Sequence, residues 1–435
     1  MIPTRFRHLG LIAVFCFLIS VPAIFAADTP SDNRASTGQE LVDQAYRTGL
    51  KLEISRDWNR AAEHYNSALA KWPQKVEFRQ RLILCEMHIR LQKRYQDNSF
   101  RNILLGMQEK DCARLYAEIL DRVESSYVDP VDLTSLSRRG MDNLEVALRD
   151  PDFQRFNANT ASSTQIQKLR QWLRDSRSSV LVSDRQQAKE TVSAIAEKAW
   201  SMAGVSRQSV YMEFIFGVCD ALDEFSACLT PDRLEDLYAV IDGNFVGLGV
   251  ELKDDPNGLL LTGVIRGGPA WDAGIKSGDV ITRVDGLSLQ GMGLDQAASY
   301  LQGMEGTSVE LTLARDGQIT RQLRLIRRPV EVESVVDSKI LDPSNGIGYL
   351  KLTSFQKTTI RELEESVVQL RQSGMKLLIL DLRGNPGGLL DCSVEIADHF
   401  LDRGVIVTTR GRSDGQSQIY RAASGDDWTF PVIVL

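Results

Sequence analysis

The stretch LLILDLRGNPGGLL at residues 377–390 decides how the C-terminal part of this chain folds. Its leading apolar run is typical of a buried β-strand, and the Gly, Asn and Pro residues at 384–388 end that strand. Apolar residues then recur at helical spacing from Leu389 to Phe400. A strand that turns through glycines into a helix exposes backbone N–H groups, so the sequence predicts a site for an oxyanion or a phosphate.

A phosphate loop is the rival interpretation of this turn. The turn has neither the Gly-Lys-Ser/Thr ending nor the GxGxxG spacing of nucleotide-binding loops. We therefore favour the oxyanion, and we expect neither a cofactor nor a metal.

Length and composition bound the class of protein. A chain of 435 residues holds about three domains. Its content of 43% apolar and 25% charged residues is ordinary for a globular protein. The net charge of −7 and the lack of a basic run argue against nucleic acid as a partner.

Residues 1–26 form a segment of their own. Arg5 and Arg7 precede an uncharged apolar stretch from Leu9 to Ile19. The segment ends with Ile24, Phe25 and Ala26, and cleavage is expected after Ala26, although Ile24 is a less usual residue two positions before the cut. This pattern predicts a signal peptide and hence an exported protein, periplasmic or otherwise extracytoplasmic. A retained membrane anchor is the alternative, although the apolar run is short and Pro22 interrupts it.

The cysteines that follow this segment do not form a ligand pattern. They are odd in number, have no CxxC spacing and stand mostly among apolar helical residues, which favours buried thiols over a metal site or a disulfide framework. One bridge, Cys219–Cys228, stays open. The five residues are Cys85, Cys112, Cys219, Cys228 and Cys392.

Residues 39–97 are predicted to form a helical hairpin followed by one more helix. The offsets of a tetratricopeptide repeat are present here, with small residues that let two helices approach closely. The hairpin either offers a groove to a protein partner or serves only for packing. The residues at these offsets are Gly49, Ala61, Tyr65, Ala68 and Pro73.

Two further regions follow with different periodicity. Residues 110–240 are predicted to be helical, with a polar insertion at about 149–208 that holds two helical stretches. At Asn244 the period changes to that of short strands separated by glycines, which continues to Arg328.

The strand-rich region 244–328 resembles a PDZ domain of the bacterial protease type. The resemblance depends on GLGV at 247–250, on GPAWDAGIKSGD at 268–279 and on one helix at 294–301. It implies that the loop of Gly247, Leu248, Gly249 and Val250 points its amides at a peptide's terminal carboxylate, and that the peptide pairs with the strand beginning there. A small β-domain that only packs is the alternative.

Residues 330–435 complete a second resemblance. The strand GIGYLKLTSF at 346–355 and the segment DLRGNPGG at 381–388, together with the PDZ-like region, resemble the carboxyl-terminal processing peptidases, or tail-specific proteases. The helical region contributes YVD at 127–129 and LDEFSACLTP at 222–231. The family implies that Gly387 or Gly388 donates to the oxyanion and that Asp381 and Arg383 hold the turn.

The family also implies a serine–lysine dyad after the last strand, and the sequence ends at Leu435 within that strand. No lysine follows Lys376, so the nucleophile and base are expected to be absent and the chain inactive as given. It is either the leading part of a longer peptidase or a natural short product.

The sequence thus predicts a multidomain α+β protein with an incomplete α/β peptidase core. The predicted function is that of an exported serine-type endopeptidase that captures protein C-termini and cleaves near them. The alternative is a non-catalytic exported scaffold that binds peptides through its PDZ and repeat-like segments.

Overall fold

Helical periodicity governs the first half of the chain and strand periodicity the second. The computed structural model describes residues 33–223, 225–315, 318–412, 414–423 and 428–435. The predicted signal peptide lies outside these ranges. The chain divides into one unit of residues 1–232 with 410–417, and another of residues 233–409 with 418–435.

The first unit begins with a hairpin whose helices approach closely because of a glycine. A Cβ placed on Gly49 would lie 2.2 Å from Cζ of Tyr65, so only glycine leaves room for that ring. The Tyr65 hydroxyl donates to Glu53 Oε1 at 2.7 Å. Ala61 and Ala68 are buried beside it. The helices are α1 (Asn33–Ile54), α2 (Trp58–Lys71) and α3 (Val76–Gln96).

Three helices, Glu109–Ser126, Leu133–Ala147 and Arg185–Ala203, pack against α10 (Arg207–Asp220). Every residue of α10 from Ser209 to Cys219 is buried, which explains why this stretch is apolar around the whole helix apart from Ser209 and Glu213. The helices are α4 (Asn98–Gly106), α5 (Glu109–Ser126), α6 (Leu133–Ala147), α7 (Pro151–Asn157), α8 (Ser163–Arg177), α9 (Arg185–Ala203) and α10 (Arg207–Asp220).

The segment at 149–208 holds three helices, α7 to α9, where the sequence predicted two. Their apolar residues, among them Phe153, Leu169 and Ile195, belong to the same buried cluster as those of α5, α6 and α10. This polar stretch is therefore part of the helical core. Each of these helices buries only a narrow stripe of apolar side chains, so the sequence is mostly polar and does not reveal that the segment belongs to the core.

The second unit begins within α11 and contains the predicted PDZ region. The main sheet has the strand order β2-β3-β4-β6-β7, with β5 paired to β4, so β2 is an edge strand. The elements are α11 (Pro231–Asp242), β1 (Asn244–Gly247), β2 (Val250–Asp255), β3 (Gly258–Val264), α12 (Pro269–Asp272), β4 (Val280–Val284), β5 (Leu287–Ser288), α13 (Leu294–Ser299), β6 (Ser308–Arg315) and β7 (Gln318–Ile326).

A separate pair of strands encloses this region. The first, β1, pairs antiparallel with β8 (Arg328–Glu331), from Asn244 opposite Glu331 to Gly247 opposite Arg328. The backbone N–H of Val332 donates to Gly243 O at 2.9 Å and extends the pair by one bond.

The last part of the chain is an α/β sheet with the order β14-β11-β10-β9. Strands β10, β11 and β14 are parallel, and β9 is antiparallel to β10. The elements are β9 (Val335–Asp342), β10 (Ile347–Leu352), α14 (Thr359–Gln372), β11 (Leu377–Asp381), α15 (Leu390–Asp398), β12 (Val405–Thr409), β13 (Gln418–Arg421) and β14 (Val432–Val434).

The predicted fold class, multidomain α+β, is confirmed. Within the described ranges, no helix combines the length and the apolar character needed to cross a membrane.

The crossing of α6 and α10 gives a test of packing. A Cβ on Gly217 would lie 2.6 Å from Cα and N of Gly140, so Gly217→Ala should lower the free energy of unfolding by about 1–3 kcal/mol. Urea unfolding measures this. The control is Gly106→Ala at the end of α4, where no heavy atom lies within 4 Å of the added Cβ. A loss of stability equal in both variants would contradict the close helix approach.

Candidate functional site

The glycine turn after β11 is held by the chain that follows β10. The N–H of Phe355 donates to Gly387 O at 3.0 Å, and the N–H of Leu389 donates to Phe355 O at 2.8 Å. Gly388 lies between these two bonds and forms a parallel bridge with Phe355. The turn thus runs beside Phe355 like one more short strand.

The amide of Gly387 is used inside the turn. Its N–H donates to Asn385 Oδ1 at 2.7 Å, and the Asn385 side chain donates to Leu352 O at 3.0 Å. Asn385 therefore ties the turn to β10 and occupies the N–H of Gly387.

The amide of Gly388 is left open. Backbone groups of neighbouring residues in a paired strand face opposite edges, so the Gly388 N–H faces away from Phe355. It has no acceptor within the described part of the chain. A Cβ on Gly388 would lie 2.1 Å from Phe355 O, and its φ is +152°, so this position requires glycine. Of the two glycines named from the sequence, Gly388 is the one with a free donor.

Asp381 fixes the start of the turn. Its side chain is buried at the end of β11 and accepts from the Arg383 N–H at 2.9 Å, from Arg383 Nη2 at 2.7 Å and from the Tyr349 hydroxyl at 2.8 Å. The bonds from Arg383 hold the pKa of the Asp381 carboxyl well below its ordinary range. The same carboxylate raises the pKa of Tyr349, because that hydroxyl donates to it. This pairing is what the family resemblance implied for Asp381 and Arg383.

The carboxyl end of β14 lies beside the turn. The N–H of Leu435 donates to Leu380 O at 3.0 Å, and the N–H of Leu382 donates to Leu435 O at 3.0 Å. The parallel strands β11 and β14 therefore end at the same edge of the sheet, where the glycine turn begins.

Lys376 and His399 stand apart from the turn. Lys376 precedes β11, about 16 Å from Asp381 at the spacing of an extended strand. His399 stacks on Trp428 with ring centroids 4.5 Å apart, and its Nε2 lies 3.4 Å from Glu364 Oε1, which is a structural role. No group of three or more His, Cys, Asp or Glu side chains in the described ranges is placed to hold a metal.

The second candidate site is the loop between β1 and β2. Leu248 O accepts from the Ala270 N–H and Gly249 O from the Ile265 N–H, each at 2.9 Å. The N–H groups of Leu248 and Gly249 have no acceptor among the described residues. Gly249 has φ +75°, and a Cβ there would lie 3.2 Å from Gly268 Cα. Two open amides therefore stand together at the start of β2.

The surroundings of this loop fit an extended ligand. Among the described residues no strand pairs with the outer edge of β2, so its backbone groups can pair with another chain. Helix α13 packs against β2 and β3, and Leu248, Ala297 and Leu301 share one buried cluster. Gly247 ends β1 and Val250 begins β2, so the four predicted residues lie in one loop.

The sequence did not predict three residues that hold the glycine turn in place. Asn385, Phe355 and Tyr349 make the contacts that hold it, and only Asn385 carried a signal, since asparagine side chains often bond to the backbone two residues on. The partners of Phe355 and Tyr349 are distant in the sequence.

Two family models match parts of the chain. Residues 260–315 match the family model of the PDZ domain, and residues 346–435 match that of peptidase family S41.

Named relatives agree with these matches. The chain is 33% identical over 222 residues to "Carboxy-terminal processing protease CtpA" of Bacillus subtilis, which covers 51% of this chain and 47% of that protein. It is 34% identical over 197 residues to a "Probable CtpA-like serine protease" of Staphylococcus haemolyticus, covering 45% of this chain and 39% of the other. The chain spans about half or less of the length of these relatives.

A solved structure is also similar. The photosystem II D1 C-terminal processing protease is 25% identical and is covered over 73% of its chain and 74% of this one, with a TM-score of 0.32. The sequence matches by themselves confirm the predicted resemblance to the carboxyl-terminal processing peptidases.

The depressed pKa of Asp381 gives a test by pH. The ionised carboxylate stabilises the folded chain above the pKa of about 4 expected when unfolded, and this stabilisation declines as the pH falls below that value. Asp381→Asn should therefore lower the melting temperature most at pH 7, and the difference from the parent should narrow below about pH 4. The control is Asp402→Asn at an exposed position. A difference that stays constant down to pH 2.5 would exclude this role for Asp381.

Proposed function

We propose that this relative of the carboxy-terminal processing proteases is a serine-type endopeptidase chain that captures protein C-termini in its PDZ domain and cleaves near them. The observation that carries the proposal is the open N–H of Gly388 beside the carboxyl end of β14. A backbone donor that no side chain covers, at the edge where parallel strands end, is suited to an oxyanion.

In the proposed reaction the Gly388 N–H stabilises the negative oxygen that forms on the attacked carbonyl. One such donor typically lowers the barrier by ~3–4 kcal/mol. Gly387 would support it indirectly, because its own N–H is bonded to Asn385. Asp381 and Arg383 keep the turn in place.

We assign the nucleophile and base to a serine and a lysine beyond β14. Because Leu435 is bonded to Leu380 and Leu382, a residue that follows it would lie beside the glycine turn. A lysine desolvated there would have a lowered pKa and could take the serine proton as a neutral amine. The last lysine of the given sequence is Lys376, so we propose that these 435 residues alone do not hydrolyse peptides.

The PDZ domain would supply the capture step. The open amides of Leu248 and Gly249 suit a terminal carboxylate, and the unpaired edge of β2 suits the backbone that precedes it. The ligand class is therefore a protein or peptide C-terminus, with no role for nucleic acid.

A non-catalytic peptide-binding scaffold is the second candidate. It is favoured by the fact that the PDZ loop is complete within the described residues, and the helical hairpin of α1 and α2 would add a site for a protein partner. We also propose that the protein is exported to the periplasm or another extracytoplasmic space, from the pattern of residues 1–26.

Hydrolysis tests the catalytic proposal. The polypeptide ending at Leu435 should show no turnover of an unstructured protein substrate, whereas one extended by the downstream reading frame should cleave it. In the extended form, Gly388→Ala should lower kcat about 10²–10³-fold, because the added Cβ displaces the donor. Gly384→Ala, at a position with φ +78° and free space, controls for strain in the turn. Turnover by the shorter form, or unchanged kcat in Gly388→Ala, would refute the assignment.

Calorimetry tests the capture step separately. The chain should bind a peptide with an apolar last residue and a free carboxylate, and amidation should weaken binding by ~1.5–3 kcal/mol. Gly249→Ala should abolish the difference between acid and amide, since a side chain is strained at φ +75°. Gly291→Ala, also at positive φ but with open space, is the control. Equal affinity for both peptide forms in the parent would rule out carboxylate capture.

A further inference from the structure

A cleft of about 480 Å³ lies in the helical unit between α3, α6 and α8. This volume falls within the range of sites that hold small ligands or short peptide segments. Its apolar lining comes from all three helices and consists of Ile83, Leu84, Met87, Met141, Val146 and Leu173. The proposed peptidase chemistry uses none of these residues.

One carboxylate in the cleft wall is surrounded by three guanidinium groups. Glu145 Oε1 accepts from Arg170 Nη2 at 3.0 Å and from Arg174 Nη1 at 2.6 Å, while Oε2 accepts from Arg149 Nη2 at 2.6 Å. Glu145 is buried. Its one negative charge offsets only one of the three positive charges, so two stay uncompensated in this group.

Arg139, on α6 like Glu145, adds another positive charge to the lining. Arg177 is paired with Asp142 at 2.6 Å and is neutralised by it. Arg139 has no carboxylate partner in the described part of the chain, and its Nη1 contacts only the thioether of Met87 at 3.7 Å. The cleft therefore has an excess of positive charge although the protein has a net charge of −7.

The same face of α3 continues into a second recess of about 190 Å³, which shares Leu84 with the cleft. His88 lines this recess and stacks on Trp58 with ring centroids 3.8 Å apart. His88 is 97% buried, and neither ring nitrogen has a hydrogen-bond partner. Burial is the main cause that lowers the pKa of His88 to about 4, so at neutral pH the ring offers one donor and one acceptor.

We propose that the groove along α3, formed by this cleft and recess, binds an acidic peptide segment of another polypeptide. Arg139 and the Glu145 cluster would pair with its carboxylates, the apolar floor would take its aliphatic side chains, and His88 would bond a peptide group. The His88 ring offers one hydrogen-bond donor and one acceptor, which a peptide backbone can pair with and the acyl chain of a lipid cannot. An arginine-rich apolar groove beside such a ring therefore suits a peptide better than a lipid. The groove deepens the partner role proposed for the helical hairpin and rests on it, but it is independent of the PDZ loop.

Fluorescence anisotropy with the whole chain tests this groove. The probe is a fluorescein-labelled hexapeptide of alternating Glu and Leu, amidated so that carboxylate capture by the PDZ loop is excluded. We expect saturable binding that weakens with salt, and no saturable binding of matched Gln-Leu or Lys-Leu peptides. Arg139→Gln should weaken binding about tenfold or more, Arg139→Lys should retain most of it, and Arg114→Gln on α5 should leave it unchanged.

The outcomes distinguish peptide binding in this groove from carboxylate capture by the PDZ loop. Gly249→Ala should leave this binding intact, so a failure of PDZ capture does not affect it. Equal binding of the Glu and Gln peptides, or unchanged affinity in Arg139→Gln with an unchanged melting temperature, would overturn the proposal. Binding of phosphatidylglycerol vesicles through Arg139 without peptide binding would overturn it as well.

Discussion

The buried carboxylate of Asp381 is the contact on which the candidate active site depends. It stands where β11 ends and satisfies four donors from Arg383 and Tyr349 at once. A buried charge without such partners would be costly, so the chain after β11 must stay close enough to supply them. This constraint directs the backbone into the glycine turn, and the bonds of Phe355 then leave one amide facing outward.

Much of this arrangement could be predicted because each of its elements is encoded in a short, continuous stretch of sequence. The apolar run of β11, the break at Gly384 and the helical spacing after Leu389 each encode one element, and the structure has all three in the expected order. Strands β10 and β11 with α14 between them follow from the same reasoning. The loop before β2 was found in the same way, because its glycines interrupt a strand pattern.

The remainder depends on contacts between residues far apart in sequence. Whether Gly387 or Gly388 keeps a free N–H is decided by the position of the Asn385 side chain and by Phe355, 33 residues before Gly388 in the chain. The sequence predicted two helices at 149–208 and the structure has three, because the burial of these helices depends on α6 and α10 and leaves little signal in the local sequence. The buried pair of Arg94 and Glu213, 119 residues apart, carries no local pattern at all.

The antiparallel pair of β1 and β8 has a consequence for how such proteins diversify. The PDZ domain enters through one of these strands and leaves through the other, so its two ends lie side by side. A module with adjacent ends can be inserted into a host chain, or replaced by another, without separating the elements that flank it. The ligand preference of such a module and the α/β sheet that carries the glycine turn can therefore evolve as separate parts, joined through the β1–β8 pair.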